Sequence, residues 1–198
     1  HMIAVATPHL AEDWWSYLGG DGLLAAHTFA EMAPCSLEDQ ELLDGETLLR
    51  DLLEQARKVR SVAERHLDGE ATSLTIVTAA PWRYEMAEMA LEHLAKGDNV
   101  KSFMGILTQA DLAQGEHRGE RLGFWNKRML PQVFKWDDEK KRILLSNLEE
   151  TSVYRNSTDF IATELGLDRV VVVHGESDED TTGKAGVAIP LSPAFIYA

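Results

Sequence analysis

From residue 45 to 67 the apolar side chains Leu48, Leu49, Leu52, Leu53, Ala56, Val59, Val62 and Ala63 recur at three- and four-residue spacing. Arg50, Asp51, Glu54, Arg57, Lys58 and Arg65 fall on the opposite face. This pattern predicts an amphipathic helix of roughly 23 residues and about 35 Å, ended by Asp68-Gly69. An earlier helix is predicted in "TPHLAEDWWSYLGG", Thr7 to Gly20. Thr7 suits the N-cap, Pro8 the first turn, and Gly19 and Gly20 the end. Trp14 and Trp15 stand about 100° apart on such a helix, more aromatic surface than one helix can cover. Unusual apolar exposure, or a contact that covers it, is therefore expected there. The intervening "LLAAHTFAEMAPCSLEDQ" has no sustained period and is expected to connect.

Past residue 70 the pattern changes. "SLTIVTAA", Ser73 to Ala80, is β-branched and apolar without alternation, as in a buried strand. Pro81 opens a helix that runs to Ala95 and closes at Gly97, with Met86, Met89, Ala90 and Leu94 as its apolar stripe. Further helices are expected at about 100–112 and 118–134, and in "TDFIATELG", capped by Ser157 or Thr158 and stopped by Gly166. "RVVVVHG", Arg169 to Gly175, predicts a second buried strand, and "AGVAIPLSPAFIYA" one or two more. Strand, turn and helix in succession open an α/β unit. The expected fold class is α/β (α+β). A helical piece, residues 1–69, precedes an α/β domain with a small mixed sheet, residues 70–198, and the boundary falls near 68–72.

Composition adds little until charge is resolved along the chain. The 198 residues are 44% hydrophobic, ordinary for a globular protein. No apolar run is long enough to span a bilayer. His1-Met2 is taken as a vector-derived pair, and no signal peptide is expected. The single cysteine, Cys35, fits a reducing, cytoplasmic setting. The net charge of −14 argues against a polyanionic partner, but residues 117–142 carry eight basic and four acidic side chains. In "HRGERLGFWNKRMLPQVFKWDDEKKR" the cations Arg118, Arg121, Lys127, Arg128, Lys135, Lys140, Lys141 and Arg142 interleave with Phe124, Trp125, Phe134 and Trp136. Cations grip phosphates and exposed aromatics stack on bases. On a helix, however, Leu122, Trp125, Met129 and Val133 also form a core stripe whose wet face is charged.

Other candidates are weaker. His9 and Glu12 have a metal-sharing spacing without further ligands nearby. "GGDG" at 19–22 ends a helix instead of following a strand, and "TGK" at 182–184 lacks the rest of a phosphate loop. Glu176, Asp178, Glu179 and Asp180 lack calcium-loop spacing. No catalytic residues and no metal ligands are assigned.

The motifs together resemble one family. "TPHLAEDWWSYLGG" is similar to the end of the anticodon-binding helical bundle of leucyl-tRNA synthetases, with its Pro-His, Ala-Glu, Trp and Leu-Gly in order. Isoleucine and valine enzymes usually have Pro-Phe and Thr-Glu there. "FAEMAP", "LLRDLLEQARKVRSVA", "LTIVTAAPWRYEMAEMALE" and "ATELGLDRVVVVHGESDEDTTGKAGVAIPLSPAFIYA" resemble, in order, the link, long helix, strand–turn–helix and closing segment of the archaeal and eukaryotic-cytosolic type. The resemblance is weakest at 100–156. It implies the C-terminal part of a leucine–tRNA ligase, a class I synthetase: the remnant of the anticodon-binding bundle, then a C-terminal domain that grips the long variable arm of leucine tRNA.

Catalytic and editing sites would lie in other domains of the parent, where ATP and magnesium act; no cofactor is implied for this stretch. Implied partners are leucine tRNA and the remaining domains of the parent, with no membrane. The implied contacts are Pro193, Phe195, Ile196, Tyr197 and Ala198 at the arm's tip, beside Ala194. The cations assigned to the arm's phosphates are Lys127, Arg128, Lys135, Lys140, Lys141, Arg142 and Lys184. The alternative is a protein-interaction module of a synthetase-like paralogue that uses the basic aromatic segment 117–142.

Overall fold

A computed structural model describes residues 8–24, 36–65, 67, 69–97, 100–110, 118–146, 148–177, 183, 184 and 186–198. The chain divides into two compact units, His1–Ser36 and Leu37–Ala198.

In the first unit, helix α1 spans Pro8–Tyr17. It ends as its sequence requires: Gly19 takes φ +80°, and Gly20 N–H donates to the Trp15 carbonyl at 2.8 Å. The Trp15 indole lies over Gly20 so closely that a Cβ there would come within 2.1 Å of the ring. Glu12 accepts the Leu24 N–H at 2.8 Å, so its carboxylate holds a turn, and His9 is exposed. Ala11 and Leu24 are buried, whereas Trp14, Tyr17 and Leu18 are 54%, 90% and 78% exposed. The expected apolar exposure is present.

The second unit opens with α2, Leu37–Ala63. It starts eight residues before the apolar period becomes regular, with Glu38 and Asp39 in its first turn, where acidic side chains suit the helix dipole. It then come β1 (Ser73–Thr78), α3 (Pro81–Ala95), α4 (Val100–Leu107), α5 (Arg118–Phe124), a π-helical turn (Trp125–Met129), α6 (Leu130–Val133), α7 (Asp138–Leu145), α8 (Glu150–Asn156), α9 (Thr158–Leu165), β2 (Arg169–His174) and β3 (Ala194–Tyr197). The sheet is mixed, in order β2-β1-β3. β1 runs parallel to β2, with Leu74 opposite Val170, and antiparallel to β3, with Leu74 opposite Tyr197. The region before β3 contributes a single bridge between Ile189 and Ser192.

Period-two alternation sorts each strand between two layers. Leu74, Ile76, Val172 and Tyr197 join the main core; Val77, Val173 and Ala194 join a small one with Ala188. Leu48, Leu52, Leu53 and Ala56 of α2 pack into the same main core as Leu74 and Ile76. The long helix therefore belongs to the compact unit of the sheet. Its hydrophobic stripe is buried by strands that follow it in sequence, so the compact unit begins near residue 37 and not at 68–72. Two glycines serve this arrangement directly. Gly166, at φ +62°, ends α9 in the left-handed conformation. Gly175 follows β2, where a Cβ would lie 2.5 Å from the Thr78 carbonyl oxygen.

Candidate nucleic-acid interface

The basic window does two jobs. Its helical stripe is core: Trp125, Met129 and Val133 are all at or below 1% exposure. The π-helical turn widens the repeat there, so that Trp125 meets Phe103 at 5.2 Å between ring centroids. Arg83, 3% exposed, reaches into the aromatic layer, 4.0 Å above the Phe124 ring and 4.9 Å from Trp82. Burial lowers its pKa, and Glu176 opposes that shift. Arg83 Nη1 also donates to the Ala188 carbonyl at 2.5 Å. Glu176, from the acidic run, faces inward to accept Trp82 Nε1–H at 2.9 Å and to pair with Arg83 at 3.4 Å. Asp178, Glu179 and Asp180 lie outside the described residues. No group of metal-binding side chains occurs among the described residues.

Part of the wet face, from Gln132 to Lys140, lines a groove of about 590 Å³. One wall is the polar face of α2, with Arg50, Asp51, Glu54, Gln55 and Lys58. The other runs from Gln132 through Lys135, Trp136, Asp137 and Glu139 to Lys140, so cations and carboxylates alternate along it, and the Ile189–Ser192 turn closes one side. Ser192 Oγ donates to Gln55 Oε1 at 3.1 Å, tying that turn to α2. Trp136 is half-buried and Phe134 is 45% exposed, so aromatic faces stand beside cations.

The cations expected to bind phosphate divide into two classes. Lys127, Arg128 and Lys135 are exposed and make no ion pair among the described residues. Arg50, on the facing wall, is likewise exposed without an ion pair there. The α7 cations are engaged. Lys140 pairs with Asp51 at 3.3 Å, Lys141 with Asp138 at 3.1 Å, and Arg142 with Asp44 at 2.6 Å. Asp44 is 2% exposed and also accepts from Gln40 at 2.9 Å. Arg142 thus ties α7 to α2 through a buried carboxylate while 44% of its side chain stays exposed. Lys58 pairs with Glu54 at 2.6 Å, a bond that lowers the Glu54 pKa. Lys184 is exposed.

The C-terminal residues divide between the interior and the surface. Tyr197 is 7% exposed and its hydroxyl donates to the Ala56 carbonyl at 2.7 Å; burial raises its pKa to about 12. Pro193 and Ala194 are buried as well. Tyr197 packs into the main core with α2, whereas Ala194 packs on the other face of the sheet in the small core. Phe195 and Ile196 are half-buried. Ala198 is exposed, but its carbonyl accepts the Thr72 and Ser73 N–H groups, each at 2.9 Å.

Arg50 and Lys58 were missed as members of the site. Their only signal in sequence was an eight-residue spacing on the polar face of α2.

No helix among the described residues is long and apolar enough to cross a membrane. No family model matches the chain. It is similar to the leucine–tRNA ligase of Methanocaldococcus jannaschii, at 27% identity over 189 residues, which is 96% of this chain and 18% of that protein. The leucine–tRNA ligase of Methanococcus maripaludis strain C7 matches at 26% over 194 residues, 98% of this chain and 18% of the relative. That of Pyrococcus abyssi matches at 26% over 193 residues, with the same two coverages. The chain spans 18% of the length of these curated relatives. Over 96–98% of its residues, the chain is similar to archaeal leucine–tRNA ligases.

Proposed function

We propose that this chain is the C-terminal RNA-recognition part of a leucine–tRNA ligase and that it grips the long variable arm of leucine tRNA. Attachment of leucine, with ATP and magnesium, then takes place in domains outside this stretch, and the parent acts in the cytoplasm. The observation that carries the reading is the near-complete match to leucine–tRNA ligases. The exposed basic surface agrees with it chemically. Lys135 and Arg50 in the groove, and Lys127 and Arg128 outside its lining, have charge to offer phosphates, and Trp136 in the groove and Phe134 beside it offer faces to unpaired bases. Phe195, Ile196 and the exposed Ala198 remain candidates for the arm's tip.

Filter binding with a long-arm leucine tRNA and a short-arm tRNA at two salt concentrations tests the proposal. Binding to the leucine tRNA should be tighter and should fall as salt rises. The combined variant Lys127→Glu, Arg128→Glu, Lys135→Glu should weaken it about tenfold or more, since each lost phosphate contact also becomes a repulsion. Equal affinity for the two tRNAs, or no effect of the triple variant, would reject the reading. Truncating β3 is a poor test, because β3 is a sheet strand and its removal would damage the fold.

A further inference from the structure

The N-terminal half of α2 and the α8 region enclose a second groove, of about 520 Å³, apolar where the first is lined by charges of both signs. Leu42, Leu49, Leu148 and Val153 line it, and its titratable rim is Glu38, Glu41 and Glu46, without a cation. Leu42 is 70% exposed. With Leu49, Leu148 and Val153 it forms an apolar groove, unlike the singly scattered leucines of an ordinary surface.

Gly45 lies in the groove, inside a 27-residue helix. Glycine in a helix interior costs about 1 kcal/mol relative to alanine. The fold does not demand it: a Cβ would meet only Val153 Cγ1, at 4.0 Å, an ordinary contact. A side-chain-free position facing an open apolar groove is instead what close approach of another chain requires. The adjacent segment, residues 25–35, carries Glu31 and neither lysine nor arginine, so its charge does not complement this rim.

We propose that this groove docks a cationic amphipathic helix of a partner protein. Aliphatic side chains of that helix lie over Gly45 between Leu42 and Val153, and its lysines or arginines face Glu38, Glu41 and Glu46. The acidic rim repels RNA, so the site works independently of tRNA.

The test is fluorescence anisotropy of the 198-residue chain with a labelled model helix of alanine, leucine and lysine, about four turns long, with leucines at i, i+3 and i+7. Saturable binding that weakens with salt is expected, and a twin with glutamate at every lysine should not bind. Gly45→Met, which fills the groove without changing charge, should weaken binding about tenfold, with a melting curve confirming the fold. Leu42→Glu acts at an exposed position and separates the two explanations. Docking predicts loss, whereas diffuse attraction to an acidic protein predicts a gain. Glu85→Gln with Glu92→Gln, on exposed parts of α3, should leave binding unchanged. Unaltered affinity in Gly45→Met, a gain in Leu42→Glu, or no saturable binding would overturn the proposal.

Discussion

Arg142 offers the sharpest division between folding and RNA binding within the basic window. Its guanidinium sits 2.6 Å from Asp44, whose side chain is only 3% exposed, while Arg142 itself is 44% exposed. Replacing Arg142 by glutamine strands a buried carboxylate. For a fully buried pair that costs about 3–5 kcal/mol. Two features reduce it. Half-exposure of the arginine lets water screen the pair, and Gln40 still donates to Asp44 at 2.9 Å. The loss should therefore be about 2 kcal/mol, which for a unit of this size lowers Tm by roughly 4–8 °C. Urea unfolding followed by circular dichroism measures it. Arg142→Gln combined with Asp44→Asn should recover part of the loss, since the stranded charge is gone. At a temperature where the variant stays folded, leucine-tRNA affinity should change less than about twofold, against tenfold or more for the triple variant at 127, 128 and 135. A stability loss under about 0.5 kcal/mol together with a large fall in tRNA affinity would refute this assignment and return Arg142 to the RNA surface.

Two further outcomes follow from the interior. Gly175→Ala places a Cβ 2.5 Å from the Thr78 carbonyl oxygen, a backbone atom that also accepts the Gly175 N–H at 3.0 Å. It should cost about 2–3 kcal/mol, and an unchanged melting temperature would show that the β1 and β2 ends are not this close. Glu150 is 2% exposed and accepts Tyr84 O–H at 2.7 Å and Leu191 N–H at 2.9 Å; burial raises its pKa above the ordinary carboxylate value of 4.5. Because the folded pKa exceeds the unfolded one, this group's stabilisation is complete below pH 4.5 and fades as pH rises through the folded value. The stability of the parent relative to Glu150→Gln should therefore decline from acid toward neutral pH in urea titrations, and parallel pH profiles would contradict it.

The regular elements were visible in the chain because local patterns determine them. The buried strand at 73–78, Pro81 at the start of α3 and Gly166 at the end of α9 each carry their cause within a few residues. The beginning of α2 was not visible: Leu37 to Asp44 mixes exposed leucines with acids and lacks a clear stripe. Nor did local pattern show which unit α2 joins, since its apolar face is covered by strands far downstream. The interface was half legible. Interleaved cations and aromatics marked segment 117–142, but the same pattern fits a core helix, and Trp125 proved to be core. Which cations are occupied depends on Asp44 and Asp51, distant in sequence. The terminal strand was legible only in part: resemblance pointed to its residues, but which of them face outward is decided by strand alternation and packing, and Tyr197 faces in.

The order of the sheet has a kinetic meaning. β1 is central, yet both of its partners lie about a hundred residues or more further along the chain. Until those strands arrive, "SLTIVT" has two open edges and apolar side chains on both faces. Such pairings close large loops late and slowly, and an unpaired hydrophobic strand is a template for other chains. A newly made or refolding copy should thus be most vulnerable to self-association in the interval after α2 has formed and before β2 and β3 reach β1. Dilution or a holdase should protect it during that interval alone.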